Sequence, residues 1–261
     1  MKHKGLNIFY IGFVLFFLYL PIIILIIYSF NSSKMNILFE NFTFNWYKNL
    51  FSNRELLEAF FNTMIIAVVS TIISTIIGTI SAIGIDKYNF KLKKMVNILI
   101  YIPIVIPEIV LGISLLSMYT LMKFDLGMFT LILSHIAFSI PFVIVSVRSS
   151  LSGIIKTYEE AAYDLGASKF VTFFKITLPM ILPGVVSGAT LAFTLSLDDV
   201  VISYFTAGPG SNTLPLKIYS MIKTGITPDV NALSTLMLFA TVIILTSSVI
   251  IQSRKITSKV V

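Results

Sequence analysis

The sequence predicts an all-α membrane protein with six transmembrane helices and cytoplasmic N- and C-termini. Hydrophobic residues make up 56% of its 261 residues and charged residues 12%, and its mean hydropathy is +0.94. A typical soluble domain has about 25% charged residues. Several apolar stretches exceed the roughly 20 residues that a helix needs to cross the hydrocarbon layer. We expect residues 1–261 to form a single membrane domain.

The first apolar stretch, residues 6–30, follows the basic start Lys2-His3-Lys4. It is longer than the about 7 to 15 apolar residues of a signal-peptide core, so we interpret it as an uncleaved transmembrane helix. Five further stretches complete the six predicted helices: residues 60–85, 95–122, 128–147, 182–205 and 232–251.

The distribution of Lys and Arg predicts the orientation, because these residues are enriched in cytoplasmic loops. With the N-terminus inside, thirteen of the 19 basic residues fall in cytoplasmic segments and six in external ones. The thirteen lie close to the ends of the spans. The polar segment 158–179, between the fourth and fifth spans, is therefore predicted to be cytoplasmic.

Composition excludes several classes of protein. The net charge of +7 does not indicate a nucleic-acid partner, because the basic residues alternate with apolar spans and do not form one basic face. The chain has no Cys and two His, so neither a disulfide nor a metal site is expected. A membrane enzyme needs a nucleophile, a metal or a base, and His135 alone does not supply one, so we predict no catalytic residues.

A spaced motif occupies segment 158–179. An E-A-A triplet that starts at Glu160 is followed at fixed distances by a glycine, an isoleucine and a Leu-Pro pair. This spacing resembles the EAA loop of ABC importer permeases, which is the docking element for a cytoplasmic ATPase. The resemblance implies an ATPase-docking loop at residues 148–181, in which the following residues take part: Glu160, Ala161, Ala162, Gly166, Ile176, Leu178 and Pro179.

Helical spacing predicts the local structure of this loop. Apolar residues recur with a helical period from Tyr158 to Leu165, which indicates a short amphipathic helix. Gly166 suits a helix end with positive φ, and Ser168 can cap a second short helix. We expect Glu160 and Gly166 to matter most for coupling. The alternative is a loop that lies on the bilayer surface with its aromatic residues in the interface.

Three acidic residues fall within predicted spans: Glu108 in the third, and Asp198 and Asp199 in the fifth. An ionised side chain at the bilayer centre costs about 2.5 to 3.5 kcal/mol on insertion scales, so these acids are candidates for a substrate path. At 1.5 Å per residue, Glu108 lies about 20 Å and Asp198 about 24 Å from the cytoplasmic span ends. Pro103 and Pro107 predict a bend before Glu108. Alternatively, Glu108 is protonated or hydrogen-bonded inside the bundle, and Asp198 or Asp199 caps the fifth helix at its outer end.

Other candidates for the substrate path carry weaker signals. Ser196 offers a hydroxyl near the aspartates, Trp46 can hold an alkylammonium group by a cation–π contact, and Tyr19 can face a cavity. Trp46 is equally typical of an aromatic anchor at the membrane surface, and Tyr19 of simple packing. His135 is predicted to be hydrogen-bonded by a neighbouring helix rather than to relay protons.

Segments 194–201 and 214–221, with the sequences TLSLDDVV and LPLKIYSM, resemble the PotC-type permease family of spermidine/putrescine ABC transporters. The likeness extends over nearly the whole chain. It implies the type I ABC importer permease fold and a bacterial inner membrane location. It also implies a heterodimer with a homologous permease, two copies of a cytoplasmic ABC ATPase, an extracytoplasmic polyamine-binding protein and a polyamine substrate. No cofactor is implied, because the ATPase would bind ATP and this chain has no G-x-x-x-x-G-K-[ST] loop.

Two alternatives stay open from the sequence. An ABC importer permease for another small substrate, such as another organic cation, an iron ligand or a phosphonate, would carry the same docking motif. A strongly anionic substrate would be repelled by Glu108, Asp198 and Asp199. An ion-coupled secondary transporter would also carry intramembrane acids, but it would not need the docking motif.

Overall fold

The computed structural model describes residues 3–33, 38–151, 153–224 and 228–257, which are helical almost throughout. The all-α prediction is confirmed, since the described residues form only one isolated β-bridge, between Asn31 and Phe42. The helices in chain order are α1 (His3–Tyr28), α2 (Asn45–Ser52), α3 (Arg54–Lys87), α4 (Lys93–Val105), α5 (Glu108–Leu121), α6 (Met128–Ser150), α7 (Gly153–Asp164), α8 (Lys169–Thr172), a π-helical turn (Phe173–Thr177), α9 (Leu178–Asp198), α10 (Val201–Thr206), α11 (Leu214–Thr224) and α12 (Pro228–Thr257).

Four helical segments within the described ranges are long and apolar enough to cross a membrane. A fifth span is formed if α4 and α5, which are bent by 108° at a short break, are taken together. Part of α12 adds a shorter apolar helix, Pro228–Ile243. The number six and the cytoplasmic termini stay predictions. The four continuous segments are Phe9–Tyr28, Arg54–Lys87, Met128–Ser150 and Lys169–Asp198.

Contacts divide the chain into two units: a smaller one made of Met1–Glu58 and Lys217–Ile243, and a larger one made of Ala59–Leu216 and Ile244–Val261. The prediction of a single domain stays a prediction. In the smaller unit, Asn31 is fully buried and organises the segment after α1. Its side-chain amide donates to the Leu38 carbonyl at 2.7 Å and its side-chain oxygen accepts from the Glu40 N–H at 2.9 Å.

In the larger unit, α6 and α9 pack closely along an interface of small residues. A Cβ atom at Gly184 of α9 would lie 2.9 Å from the Ser146 carbonyl of α6, so only glycine fits this approach. The Ser146 hydroxyl donates to the Gly184 carbonyl at 3.0 Å. Val143 and Ile181 are fully buried in the apolar core beside this contact.

The predicted fifth span, residues 182–205, differs from the structure at both ends. The helical segment begins at Lys169 and continues through the π-helical turn Phe173–Thr177 into α9. It ends at Asp198, and α10 begins after two non-helical residues. The physical reason is the side chain of Asp199, which caps α10 and so favours a second helix over continuation of the first.

Candidate functional site

The predicted docking loop folds as helix, glycine break and helix, as its spacing indicates. Gly166, just after α7, adopts a φ of +83°, a conformation that favours glycine. Its N–H donates to the Tyr163 carbonyl at 2.9 Å, which closes the end of α7. The Ser168 hydroxyl then caps α8 by accepting from the Val171 N–H at 3.3 Å. Both capping predictions are confirmed.

One face of α7 is exposed and carries residues of the predicted docking motif. The Glu160 side chain is 62% exposed, Ala161 is exposed, and Leu165 at the helix end is 90% exposed. After the glycine break, the ring centroids of Phe170 and Phe174 lie 4.6 Å apart, and both side chains are also exposed. Apolar side chains that surround an acid in this way are typical of a protein interface.

The opposite face of α7 is buried. Ile155, Glu159 and Ala162 are 4%, 6% and 8% exposed. The Glu159 carboxylate accepts a hydrogen bond from Lys87 Nζ at 2.6 Å and another from the Thr177 hydroxyl. The E-A-A spacing alone does not predict that Glu159 is buried. Its helical phase with Ile155 and Ala162 was the signal that indicates burial.

The end of the motif lies at the joint between the docking loop and α9. Ile176 belongs to the π-helical turn, where the Leu178 N–H donates to the Phe173 carbonyl five residues earlier. Pro179 has no N–H, and its ring crowds the carbonyl four residues before it, which disfavours a regular α-helical turn here. The second helix of the docking loop, from Lys169, and α9 are therefore one continuous helical segment with an irregular turn.

Glu108 lies where the third predicted span breaks. α4 ends at Val105, Ile106 is extended with a ψ of 137°, and α5 starts at Glu108 after the 108° bend. Pro107, which lacks an N–H, precedes this start, as the predicted bend requires. Glu108 is exposed in the first turn of α5, where the unpaired N–H groups of a helix favour a carboxylate.

Asp199 forms the second break, between α9 and α10. Its carboxylate oxygens accept from the N–H groups of Ile202 at 3.1 Å and Ser203 at 2.8 Å. The Asp199 side chain is 3% exposed, whereas Asp198 is exposed. A capping aspartate was the alternative to a path role, and it is Asp199 that caps, for α10 rather than for the fifth helix itself.

A buried polar cluster surrounds His135. Its Nδ1 lies 2.7 Å from Ser196 Oγ, and its Nε2 lies 3.1 Å from Ser203 Oγ and 3.5 Å from Asp199 Oδ2. Ser70 Oγ lies 3.2 Å from Ser196 Oγ. The expectation that neighbouring helices satisfy His135 is confirmed. Ser196, a predicted path residue, is 3% exposed within this cluster, which links α3, α6, α9 and α10.

The two helix breaks lie together because α5 packs against α10. Gly112 of α5 leaves room for the Phe205 ring, since a Cβ there would lie 2.6 Å from Phe205 Cδ2. Glu108 begins α5, and Asp198 and Asp199 lie at the break before α10. The structure thus brings the three predicted acids to one region. Among the residues described, no group of three or more His, Asp and Glu is arranged to hold a metal ion.

Tyr19 and Trp46 lie in the smaller unit. Tyr19 is 57% exposed on α1. The Trp46 indole Nε1–H donates to the Asn31 carbonyl at 2.6 Å, so this ring helps to fix the segment after α1. A role for either residue in the substrate path stays a prediction.

The adjacent aspartates are expected to differ sharply in their effect on stability. Asp199→Ala removes a buried cap and leaves His135 with one polar partner fewer, so we expect a loss of about 1 to 3 kcal/mol. Asp198→Ala changes an exposed side chain and should alter stability by less than about 0.5 kcal/mol. The measurement is the thermal denaturation midpoint of the purified protein in detergent. A lower denaturation midpoint for Asp198→Ala than for Asp199→Ala would contradict the capping role of Asp199.

A family model described as the inner membrane component of binding-protein-dependent transport systems matches residues 74–254. The match covers the docking loop and both helix breaks. The chain belongs to this inner membrane component family.

Sequence relatives of this inner membrane component are permeases of polyamine transport. It is 44% identical over 239 residues to the spermidine/putrescine transport system permease protein PotC of Escherichia coli K12, covering 92% of this chain and 90% of that protein. PotC of Haemophilus influenzae is 42% identical over 243 residues, or 93% of each chain. The putrescine transport system permease protein PotI of E. coli K12 is 39% identical over 231 residues, which are 86% of this chain and 82% of PotI.

Solved ABC transporters share the fold of this inner membrane component. A chain of a bacterial ABC transporter involved in alginate import superposes with a TM-score of 0.70 at 15% identity, covering 94% of this chain and 95% of that one. A chain of the inward-facing MetNI methionine ABC transporter gives a TM-score of 0.61 at 20% identity, covering 77% and 94%. The predicted ABC importer permease fold is confirmed.

Proposed function

We propose that the chain is a permease subunit of an ATP-driven polyamine importer in the bacterial cell membrane. It forms half of the translocation path and couples to a separate ATPase through the docking loop. The observation that carries this proposal is the 44% identity, over 92% of the chain, to a permease named for spermidine and putrescine transport. Family membership supports the transport role, and the acids support the substrate class.

The chemistry of the acidic region suits a polyamine. A polyamine is a flexible chain with two or more ammonium groups, and carboxylates can replace the water around each of them by charge-assisted hydrogen bonds. Glu108 and Asp198 are both exposed beside a helix break, and a bound cation would relieve the repulsion between them. Broken helices at membrane depth are typical of the substrate sites of transporters. A strongly anionic substrate would add to the repulsion instead.

The proposed partners follow from the family and from the docking face. A binding-protein-dependent system supplies a polyamine-binding protein outside the membrane, and a homologous permease would complete the path as a heterodimer. Two ATPase copies would bind the exposed face of α7 and its counterpart on the second permease. The sequence carries no Gly-rich nucleotide-binding loop of the Walker A type, so ATP hydrolysis belongs to the partner and this subunit acts as a transporter rather than as an enzyme.

A mechanism for coupling follows from the position of α9. The helical path from the docking loop continues through the π-helical turn into α9 and ends at Asp198. Closure of the ATPase dimer would displace α7, and α9 would carry the displacement to the acidic region. The polyamine would then be exposed to opposite sides of the membrane in turn, as in alternating access.

ATP-dependent polyamine uptake tests this proposal. The heterodimer, its ATPase and its binding protein would be reconstituted in proteoliposomes, and uptake of labelled spermidine and putrescine measured with ATP and with a non-hydrolysable analogue. We expect saturable uptake only with hydrolysable ATP, and competition by the unlabelled polyamines but not by phosphonates or iron chelates. Competition by those ligands, or uptake driven by an ion gradient without ATP, would favour the alternative transporters.

A further inference from the structure

The docking helix α7 contains a buried acid that the function proposed above does not use. Glu159 lies about 100° around the helix from Glu160 and is 6% exposed. We propose that Glu159 fastens the docking helix to two membrane helices, by holding Lys87 at the end of α3 and Thr177 before α9. We call these three residues the Glu159 clasp. The inference rests on the proposed function, because it concerns how the same docking loop transmits its displacement.

The charges in the clasp restrict movement between α7 and α3. Lys87 Nζ lies 2.6 Å from Glu159 Oε1, and the side chains are 33% and 8% exposed. A buried carboxylate is costly unless its charge stays paired, so α7 cannot leave α3 without a large loss of free energy. The exposed pair of Lys156 and Glu160 on the same helix, at 3.7 Å, can separate at little cost.

The second bond of the clasp reaches the start of α9. The Thr177 side chain is completely buried, and its hydroxyl donates to the same Glu159 oxygen that Lys87 contacts. Thr177 closes the π-helical turn Phe173–Thr177, and irregular turns of this kind are frequent at functional sites. One carboxylate oxygen therefore accepts hydrogen bonds from donors on two different membrane helices.

Apolar packing brings the same three elements together. Ile155 of α7 belongs to a buried cluster with Ala82, Ile83 and Ile85 of α3 and with Ile181 of α9. Apolar contacts are not directional, so they hold these helices together without fixing their relative positions along the interface. Hydrogen bonds to a charged group are directional and stronger than neutral ones. The clasp thus fixes the positions of α7, α3 and α9 relative to one another, so that the three helices move together.

The clasp lies at the opposite end of α9 from the acidic region. α9 runs from Leu178 to Asp198, 21 residues, or about 30 Å at 1.5 Å per residue. α9 is one continuous helix that connects Thr177 with Asp198, so it can carry a displacement from one to the other. Glu160 would contact the ATPase, and Glu159 would transmit the resulting displacement of α7 to α9.

Glu159→Gln in the complete transporter tests the clasp, because it removes the charge and nearly keeps the shape. We expect the variant permease to co-purify with as much ATPase as the wild type does, and the ATPase to hydrolyse ATP. Polyamine uptake should fall about tenfold, within the range of measured coupling between sites, so that more ATP is hydrolysed per polyamine. Asp86→Asn is the matched control, since it neutralises an exposed acid next to Lys87. It should leave the number of ATP molecules hydrolysed per polyamine unchanged. If Glu159→Gln hydrolysed no more ATP per transported polyamine than the wild type, the proposal would be overturned.

Charge exchange separates a specific pair from a general loss of structure. Lys87→Glu alone should uncouple uptake from hydrolysis as Glu159→Gln does. The double variant Lys87→Glu with Glu159→Lys recreates the pair in reverse and should recover most of the uptake per ATP. A double variant no better than the single ones would contradict the ion-pair role.

Thr177 provides a test that keeps the charge of Glu159 and changes only one of its hydrogen-bond donors. Thr177→Val replaces the hydroxyl by a methyl group of similar size and should partly uncouple uptake from ATP hydrolysis, whereas Thr177→Ser keeps the hydroxyl and should behave as wild type. This comparison tests the clasp even if the Glu159 variants fail to fold. Equal numbers of ATP molecules hydrolysed per polyamine in Thr177→Val and Thr177→Ser would refute the clasp. Failure of the proposed function is distinct, because it would appear in the wild-type transporter as absent ATPase binding or absent polyamine uptake.

Discussion

Glu160→Lys should insert into the membrane normally but lose ATPase binding and ATP-driven uptake. Reversing a charge that is buried on docking costs about 2 to 5 kcal/mol, and each 1.4 kcal/mol is a factor of about ten in affinity. We therefore expect the affinity for the ATPase to fall by roughly 30-fold or more. Within the chain the change costs little, because the exposed ion pair of Glu160 with Lys156, at 3.7 Å, contributes only about 0.3 to 0.5 kcal/mol.

The measurement is co-purification of the ATPase with the variant heterodimer, together with uptake in proteoliposomes. Asp125→Lys is the control, because it makes the same charge change at an exposed loop position between α5 and α6, on the predicted external side. The control should bind the ATPase and transport as wild type. ATPase binding and uptake at wild-type levels in Glu160→Lys would remove this residue from the docking face.

The docking loop was largely predictable because its structure depends on neighbours in sequence. The positive φ of Gly166 and the cap from Ser168 are local features that a spacing of residues specifies. The clasp was not predicted, because Lys87 and Thr177 are distant from Glu159 in sequence and only packing brings them together. In the sequence, Lys87 is one of the thirteen basic residues of the predicted cytoplasmic segments, and its buried partner gives it a second role.

The acidic region was predictable in part. Pro107 indicated the bend before Glu108, since a proline removes an N–H from the helix ladder and its ring crowds the preceding turn. The break after Asp198 was less evident, because the two aspartates are the only charged residues in 182–205 and nothing in the hydrophobic pattern divides this stretch. The Asp199 carboxylate caps α10 and lies 3.5 Å from His135 on another helix, a contact that the sequence pattern does not show.

Removing the charge of either exposed acid is expected to weaken polyamine transport strongly. Asp198→Asn and Glu108→Gln each replace a charged acceptor by a neutral one, and a hydrogen bond to a charged group contributes about 1.5 to 3 kcal/mol. Uptake at limiting polyamine should therefore fall roughly tenfold to 150-fold in each variant. ATPase binding should be unchanged, because the docking loop is intact. The measurement is the concentration dependence of uptake with the ATPase and binding protein in excess.

The double variant shows whether the two acids act on one substrate. If Glu108 and Asp198 hold the same polyamine, removal of the first displaces the substrate from the second, so the losses should be smaller together than their sum. Asp125→Asn, an exposed acid in a loop, is the control and should transport normally. Unchanged uptake in both single variants would exclude these acids from the path. Strictly additive losses would place them at separate steps, so that the acidic region would be a route along which the polyamine moves rather than one binding site.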